Sequence, residues 1–133
     1  MRLPPALLLL AACATIGGAG LENTYWKLVG LEGTPLAPTQ REAHIILRPA
    51  ERRVSGSGGC NGIGGGYKLD GDRLSFGQMI RTMMACPTGM DIESAFLAAL
   101  GKTRIAKVSG QELTLLDAEG RPLARFEAQP GSR

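Results

Sequence analysis

Gly56 to Tyr67 reads GSGGCNGIGGGY, with seven glycines around one cysteine and one asparagine. Few chemistries use such a stretch: a phosphate cradle, a metal knuckle, a reactive thiol, or a hard turn. A phosphate loop ends in glycine, lysine and a hydroxyl residue, so that the lysine reaches phosphate and the hydroxyl reaches magnesium. Here Tyr67, Lys68 and Leu69 follow Gly66, and the hydroxyl is missing. A dinucleotide fingerprint needs a following helix whose N-terminus faces the pyrophosphate, whereas GYKLDGDRLSF alternates and turns. The glycines therefore serve backbone geometry, where positive φ or close chain approach is required. A surface site built on exposed backbone N–H groups is the alternative.

Around this stretch the chain reads as short strands broken by turns. TYWKLVGL alternates, with Tyr25, Lys27 and Val29 on one face and Trp26, Leu28 and Gly30 on the other. GTPLAPT is a turn, broken by Pro35 and Pro38. EAHIILRP and ERRVSGSG form a pair of strands joined through Pro49, Ala50 and Glu51. In YKLDGDRLSF, Asp70-Gly71 between two apolar-bearing runs is a hairpin signal. Asp70 and Asp72 could together suggest calcium, but two carboxylates in one tight turn are ordinary turn chemistry. TGMDIESAFLAALGK is the one helix: Thr88 or Asp91 caps it, Ile92, Phe96, Ala99 and Leu100 share a face, and Gly101 ends it. TRIAKVSG, QELTLLDAEGRP and LARFEA resume the strands, with a turn over Asp117 to Gly120. The expected fold is mainly β (α+β): a small antiparallel barrel-like meander of about eight short strands, with the helix closing one end or side.

At 133 residues there is room for a single domain. The N-terminus, MRLPPALLLLAAC, carries one arginine and then a short apolar run, Ala6 to Ala12. That run falls well short of the ~20 residues a spanning helix needs and fits a secretory signal. Without Arg2 the chain holds 14 basic and 12 acidic side chains, too balanced for a nucleic-acid partner. Leu10-Ala11-Ala12-Cys13 resembles the lipobox of bacterial lipoproteins. That resemblance implies cleavage of residues 1–12, a lipid on Cys13 and a membrane-anchored protein. Ala14, rather than aspartate, follows the cysteine; the implied location is the cell envelope, at the outer membrane facing the periplasm. The alternative is an ordinary secretory signal, with Cys13 lost or free. Residues 13–23 read as a flexible tether, residues 24–128 as the domain and residues 129–133 as a disordered tail.

Cys60 and Cys86 remain. Export places them where disulfides persist, and closing a loop of this length stabilises a fold by about 3.5 kcal/mol in the chain-entropy model. A redox-active pair, free thiols or a metal site are the other readings, although there is no C-x-x-C and His44 is the lone histidine.

Three places now line up: TYWKL with Trp26; SGSGGCNGIGGGY with Gly59, Cys60, Asn61 and Tyr67; and TMMACP with Thr82, Met84, Ala85 and Cys86, ahead of a helix carrying Glu93. Together they resemble the META domain family, to which HslJ-like heat-shock and envelope proteins belong, over residues 24–128. The resemblance implies a small barrel-like sheet with a helix, and roles in envelope or heat stress, in tolerance to the antibiotic novobiocin and, in protozoan relatives, in virulence. It implies no catalytic residues and no cofactor. In this frame Cys60 and Cys86 clamp the glycine turn onto the approach to the helix, while Asn61 and Thr82 fix the two backbones.

Met79, Met83, Met84 and Met90 surround Cys86 in sequence and could suit Cu(I); the plainer reading is that methionine fills irregular core gaps. His44 has no nameable catalytic partner. Arg48, Arg52 and Arg53 bracket a turn, as a solvated face or a contact for anionic lipid headgroups or lipopolysaccharide. The expectation is a monomeric, non-enzymatic envelope lipoprotein, with an envelope protein as a partner. A carrier holding a small apolar ligand in a barrel mouth is the competing reading, and an enzyme is disfavoured because no nucleophile, base and orienting group assemble.

Overall fold

The computed structural model describes residues 18–129. In chain order the elements are β1 (Trp26–Leu31), β2 (His44–Arg48), β3 (Arg53–Ser57), β4 (Gly62–Asp70), β5 (Arg73–Phe76), β6 (Ile80–Arg81), α1 (Met90–Lys102), β7 (Ile105–Ser109), β8 (Glu112–Leu116) and β9 (Pro122–Ala128). Residues 1–17, which hold the expected signal segment and Cys13, and residues 130–133 lie outside the described residues.

The strands pair in the order β3-β2-β1-β9-β8-β7-β5-β4, and β3 pairs with β4 to close the ring. Every pairing is antiparallel. The strand rhythm predicts a small barrel-like meander with one helix, and the β3–β4 pairing makes it a closed barrel. Closure removes the exposed edges of the eight ring strands; β6 lies outside the ring, paired to β4 beyond the end of β5. One joint is thin: β5 and β7 share the single register pair Arg73↔Ile105. The amides of Leu74 and Ala106 flank it, donating to the carbonyls of Arg104 and Asp72 at 3.0 and 2.9 Å.

The lumen is filled with side chains. Trp26, Phe96 and Phe126 are the largest fully buried residues, and the two phenyl rings meet at 5.8 Å, tilted by 50°, a favoured aromatic arrangement. Helix α1 packs on β1, β5 and β9. Since β1 and β5 stand opposite one another in the ring order, the helix crosses one mouth of the barrel. Its buried face is Ile92, Glu93, Phe96, Ala99 and Leu100, the expected stripe with a carboxylate added.

Three local expectations are corrected. The alternation of β1 breaks, because a bulge between Leu28 and Gly30 shifts the register against β9. Leu31 is buried instead of Gly30's face continuing inward. The helix is not capped by Thr88 or Asp91. Gly89 takes the N-cap at φ 96 with no side-chain cap bond, because the chain there runs tightly against Thr39 and Gly59. Gly101 lies within the helix, which runs on to Lys102. Thr103 ends it, with its hydroxyl donating to the Ala99 carbonyl at 2.9 Å.

The segment from Gly18 to Asn23, read as part of a tether, is instead fastened across the other mouth. The Ala19 amide donates to Gly110 O in the β7–β8 turn at 3.0 Å, and the Asn23 amide to Leu47 O at the end of β2 at 2.7 Å. Trp26 Nε1 donates to Leu21 O at 2.9 Å, the Thr24 hydroxyl to Gly20 O at 2.7 Å, and the Tyr67 hydroxyl to the Glu22 carboxylate. Ala19 and Leu21 pack on the core from outside. Backbone groups rather than bulky side chains dock this strap, which explains why its small-residue composition reads as a tether.

Candidate functional site

The glycine-rich stretch and the TMMACP segment meet under the first turn of α1. Cys60 and Cys86 are joined by a disulfide, with Cα atoms 6.0 Å apart, inside the usual window for such bridges. The clamp inferred from the two motifs is therefore present. It ties the β3–β4 connection to the segment that leads into the helix.

A fully buried carboxylate organises the same place. Glu93 projects from the first turn of α1 with no solvent exposure. Its Oε1 accepts from the Asn61 amide at 2.6 Å and the Cys60 amide at 3.1 Å. Its Oε2 accepts from Asn61 Nδ2 at 2.7 Å and Arg81 Nη1 at 3.0 Å. Burial pushes this carboxyl upward. The hydrogen bonds from the Asn61 side chain, the Asn61 and Cys60 amides and Arg81 outweigh it, holding the group below the usual carboxylate range. A charge this deep is tolerated because every lone pair is engaged.

Asn61, itself buried, extends the network. Its Oδ1 accepts from the Met84 amide at 2.7 Å and the Thr82 hydroxyl at 2.9 Å. Its Nδ2 also reaches Met84 O at 3.3 Å, and Thr82 Oγ1 accepts from the Gly62 amide at 3.2 Å. One asparagine side chain thus does what the motif reading expects, fixing two backbones at once. Gly58 has to be glycine, since a Cβ there would lie 2.6 Å from Glu93 Cγ, and Gly59 takes φ 117. Carboxylate, amide, guanidinium and disulfide converge on one loop. A carboxylate engaged by four donors is not free to take a proton from a substrate; the arrangement is an anchor.

The remaining motif residues divide between the two mouths. Trp26 and Tyr67 belong to the strap end. Burial, reinforced by hydrogen bonding to Glu22, pushes the Tyr67 phenol up, against a smaller downward pull from Arg52. Met84 and Ala85 are exposed, and Met84 contributes its backbone amide and carbonyl. Met83 is 87% exposed, whereas Met79 packs on the core beside Gly65. The Cys86 sulfur is committed to the disulfide. His44 stacks on Tyr25 at 4.1 Å. The Tyr25 phenol, donating to Glu42 at 2.8 Å, is pushed up to about 12 by burial and then by that carboxylate. Asp70 and Asp72 flank Gly71 (φ 64) in the β4–β5 hairpin.

Arg81 is the site residue that sequence reasoning missed. It sits on a two-residue strand whose residues are both exposed, and no spacing announces its reach to Glu93. A buried glutamate on an otherwise apolar helix face was the available signal.

A separate cleft of about 350 Å³ lies beneath the β1–β2 connection, walled by Leu28, Leu36, Pro38, Ala43 and Ile92, with Thr39 at its rim. It lies beside the mouth covered by the helix, outside the packed lumen.

Three solved structures share the fold. An NMR structure of a protein from Burkholderia xenovorans is 28% identical, covers 96% of this chain and 99% of its own, and superposes with a TM-score of 0.68. A second NMR structure is 22% identical over 80% of this chain and 91% of its own, with a TM-score of 0.61. A crystal structure of a DUF4847 family protein from Bacteroides vulgatus is 14% identical over 84% and 96%, with a TM-score of 0.59. The latter two, at such identities, show likeness of fold alone. No curated protein matches the sequence. The META domain family model matches residues 19–130, from the strap through the last strand, and the chain belongs to the META domain family.

Proposed function

We propose that this META domain is a non-enzymatic module of the cell envelope, held to the outer membrane by a lipid on Cys13, where it supports stress resistance and antibiotic tolerance. The observation that carries the reading is the stapled carboxylate. Its most polar buried groups, Glu93 and Asn61, are spent on fastening the helix to the glycine loop. A disulfide in the same loop suits an oxidising compartment, and the LAAC sequence before Cys13 supplies a lipid attachment point. Mass spectrometry of the protein from membranes tests this directly. The expected species begins at an acylated Cys13 and yields one Cys60–Cys86 cross-linked peptide. An unmodified N-terminus or two alkylatable thiols would end the reading.

The cleft beside the helix supports a second role, as a carrier of a small apolar ligand. Its volume of about 350 Å³ is at the lower end for small-molecule sites, and Leu28, Leu36 and Ile92 give it apolar walls. Titration with a fluorescent apolar probe, in the parent and in Leu36→Asp, tests it. Equal binding by both proteins would discard the cleft.

A further inference from the structure

A second cleft, of about 380 Å³, runs along the outer wall near the strap end and is lined by Arg52, Gly66, Lys68, Ser75, Phe76 and Gly77. The turn that borders it is built in an unfavourable way. Arg48 and Arg53 are directly paired across β2 and β3, and like charges directly opposite one another destabilise a hairpin. Arg52 completes the turn at φ 55. Among the described residues none of these three guanidiniums, nor Lys68, forms an ion pair. Glu51 sits exposed in the same turn, and Glu22 is engaged by Tyr67.

The floor beside the arginines is bare. Arg53 pairs with Gly66, and the Gly77 amide donates to Gly66 O at 2.9 Å. Lys68, two residues along from Gly66 and therefore on the same face, pairs with Ser75. Neither glycine is forced by crowding: an added Cβ would meet only the Arg52 carbonyl at 3.8 Å from Gly66, or the Gly66 carbonyl at 3.7 Å from Gly77. The result is a groove with a cationic rim, a hydroxyl and an open floor.

The chain's own leash says what this wall faces. Gly18 lies against Gly110 in the β7–β8 turn, at the same end of the barrel as the Arg48–Arg53 turn and the strap. Gly18 is only five positions along from Cys13, a span on the order of 17 Å fully extended. An anchored Cys13 holds this end, and not the helix end, against the bilayer. We infer that the groove lined by Arg52 and Lys68, with Arg53 paired to its Gly66 floor, binds the phosphate of anionic lipid headgroups and seats the barrel strap-end down on the membrane. The orientation rests on the lipid-anchor reading above, whereas the headgroup binding can be tested without it.

The test uses the chain from residue 13 onward carrying Cys13→Ser, so that no acyl chain contributes. Co-sedimentation is measured with vesicles of phosphatidylcholine alone and of phosphatidylcholine with phosphatidylglycerol. Partition onto the anionic vesicles is expected, weakening as salt is raised. Arg52→Ala with Arg53→Ala should lower it about 25-fold, at roughly five-fold per cation near a charged surface. Gly77→Val, which fills the floor without changing charge, should also lower it. Lys107→Ala on β7 should leave it unchanged. Circular dichroism confirms that each variant is folded. Equal partition onto both vesicle types would overturn the inference, as would a Lys107→Ala effect matching that of the arginine pair, or an unchanged Gly77→Val. Displacement by glycerol phosphate at low concentration would reassign the groove to a soluble phosphoester and overturn the lipid assignment. An unacylated Cys13 in cells would remove the anchor reading alone.

Discussion

The two mouths of the barrel are closed by different means. At one, a thirteen-residue helix lies across the opening and is fixed by a covalent bridge and a buried carboxylate with four donors. At the other, six residues from Gly18 to Asn23 are laid down mainly through neutral hydrogen bonds to turns and strand ends. The helix end concentrates its stability in one loop, so a single lesion there is expensive. The strap end spreads it over separate weak contacts, each losable by itself.

That contrast predicts a ranking. Glu93→Ala, which strands Arg81 and three buried donors, should cost about 3–5 kcal/mol in urea unfolding. A cost no larger than that of a strap lesion would erase the distinction. The same carboxylate makes stability pH-dependent. Because the folded group is held below its unfolded value, its contribution is complete above the ordinary carboxylate range and disappears as pH falls through the folded value. Acid unfolding followed by circular dichroism should show a shallower loss in Glu93→Gln than in the parent, on top of a lower starting stability.

Replacing both Cys60 and Cys86 with serine should cost about 3.5 kcal/mol. Combined with Glu93→Ala the losses should fall short of additivity, since both act on the Cys60–Asn61 backbone. Strict additivity would show two independent anchors. The smallest effect belongs to the strap. Thr24→Val keeps the side chain's shape and removes its hydroxyl bond to the Gly20 carbonyl, at roughly 0.5–1.5 kcal/mol. Hydrogen exchange should speed up at the Ala19 and Asn23 amides and stay unchanged at Glu93; acceleration at both mouths would mean that they open as one unit.

What could be read in advance follows the same division. Ile92, Phe96, Ala99 and Leu100 announce their shared face through spacing, and Asp70-Gly71 announces a hairpin through backbone preference. Cys60, Asn61, Thr82 and Cys86 were legible as a clamp because two motifs had to meet somewhere. Residues 18–23 were not, since their docking depends on carbonyls and amides that any residue owns. The bulge after Leu28 was hidden too, because strand alternation is read on the assumption of an unbroken register. Arg81 and the Gly89 cap depend on crowding between distant segments, which no local pattern encodes.

The slender join between β5 and β7 has a consequence for how this molecule breathes. A hoop of eight staves gives way where two neighbours share least, and here that is one register pair with the Leu74 and Ala106 amides beside it. Unzipping should begin there and travel outward, with those two amides exchanging first among the staves. Since α1 leans on β5, a gap at this joint would loosen the lid from below before the bridge between the cysteines felt any strain.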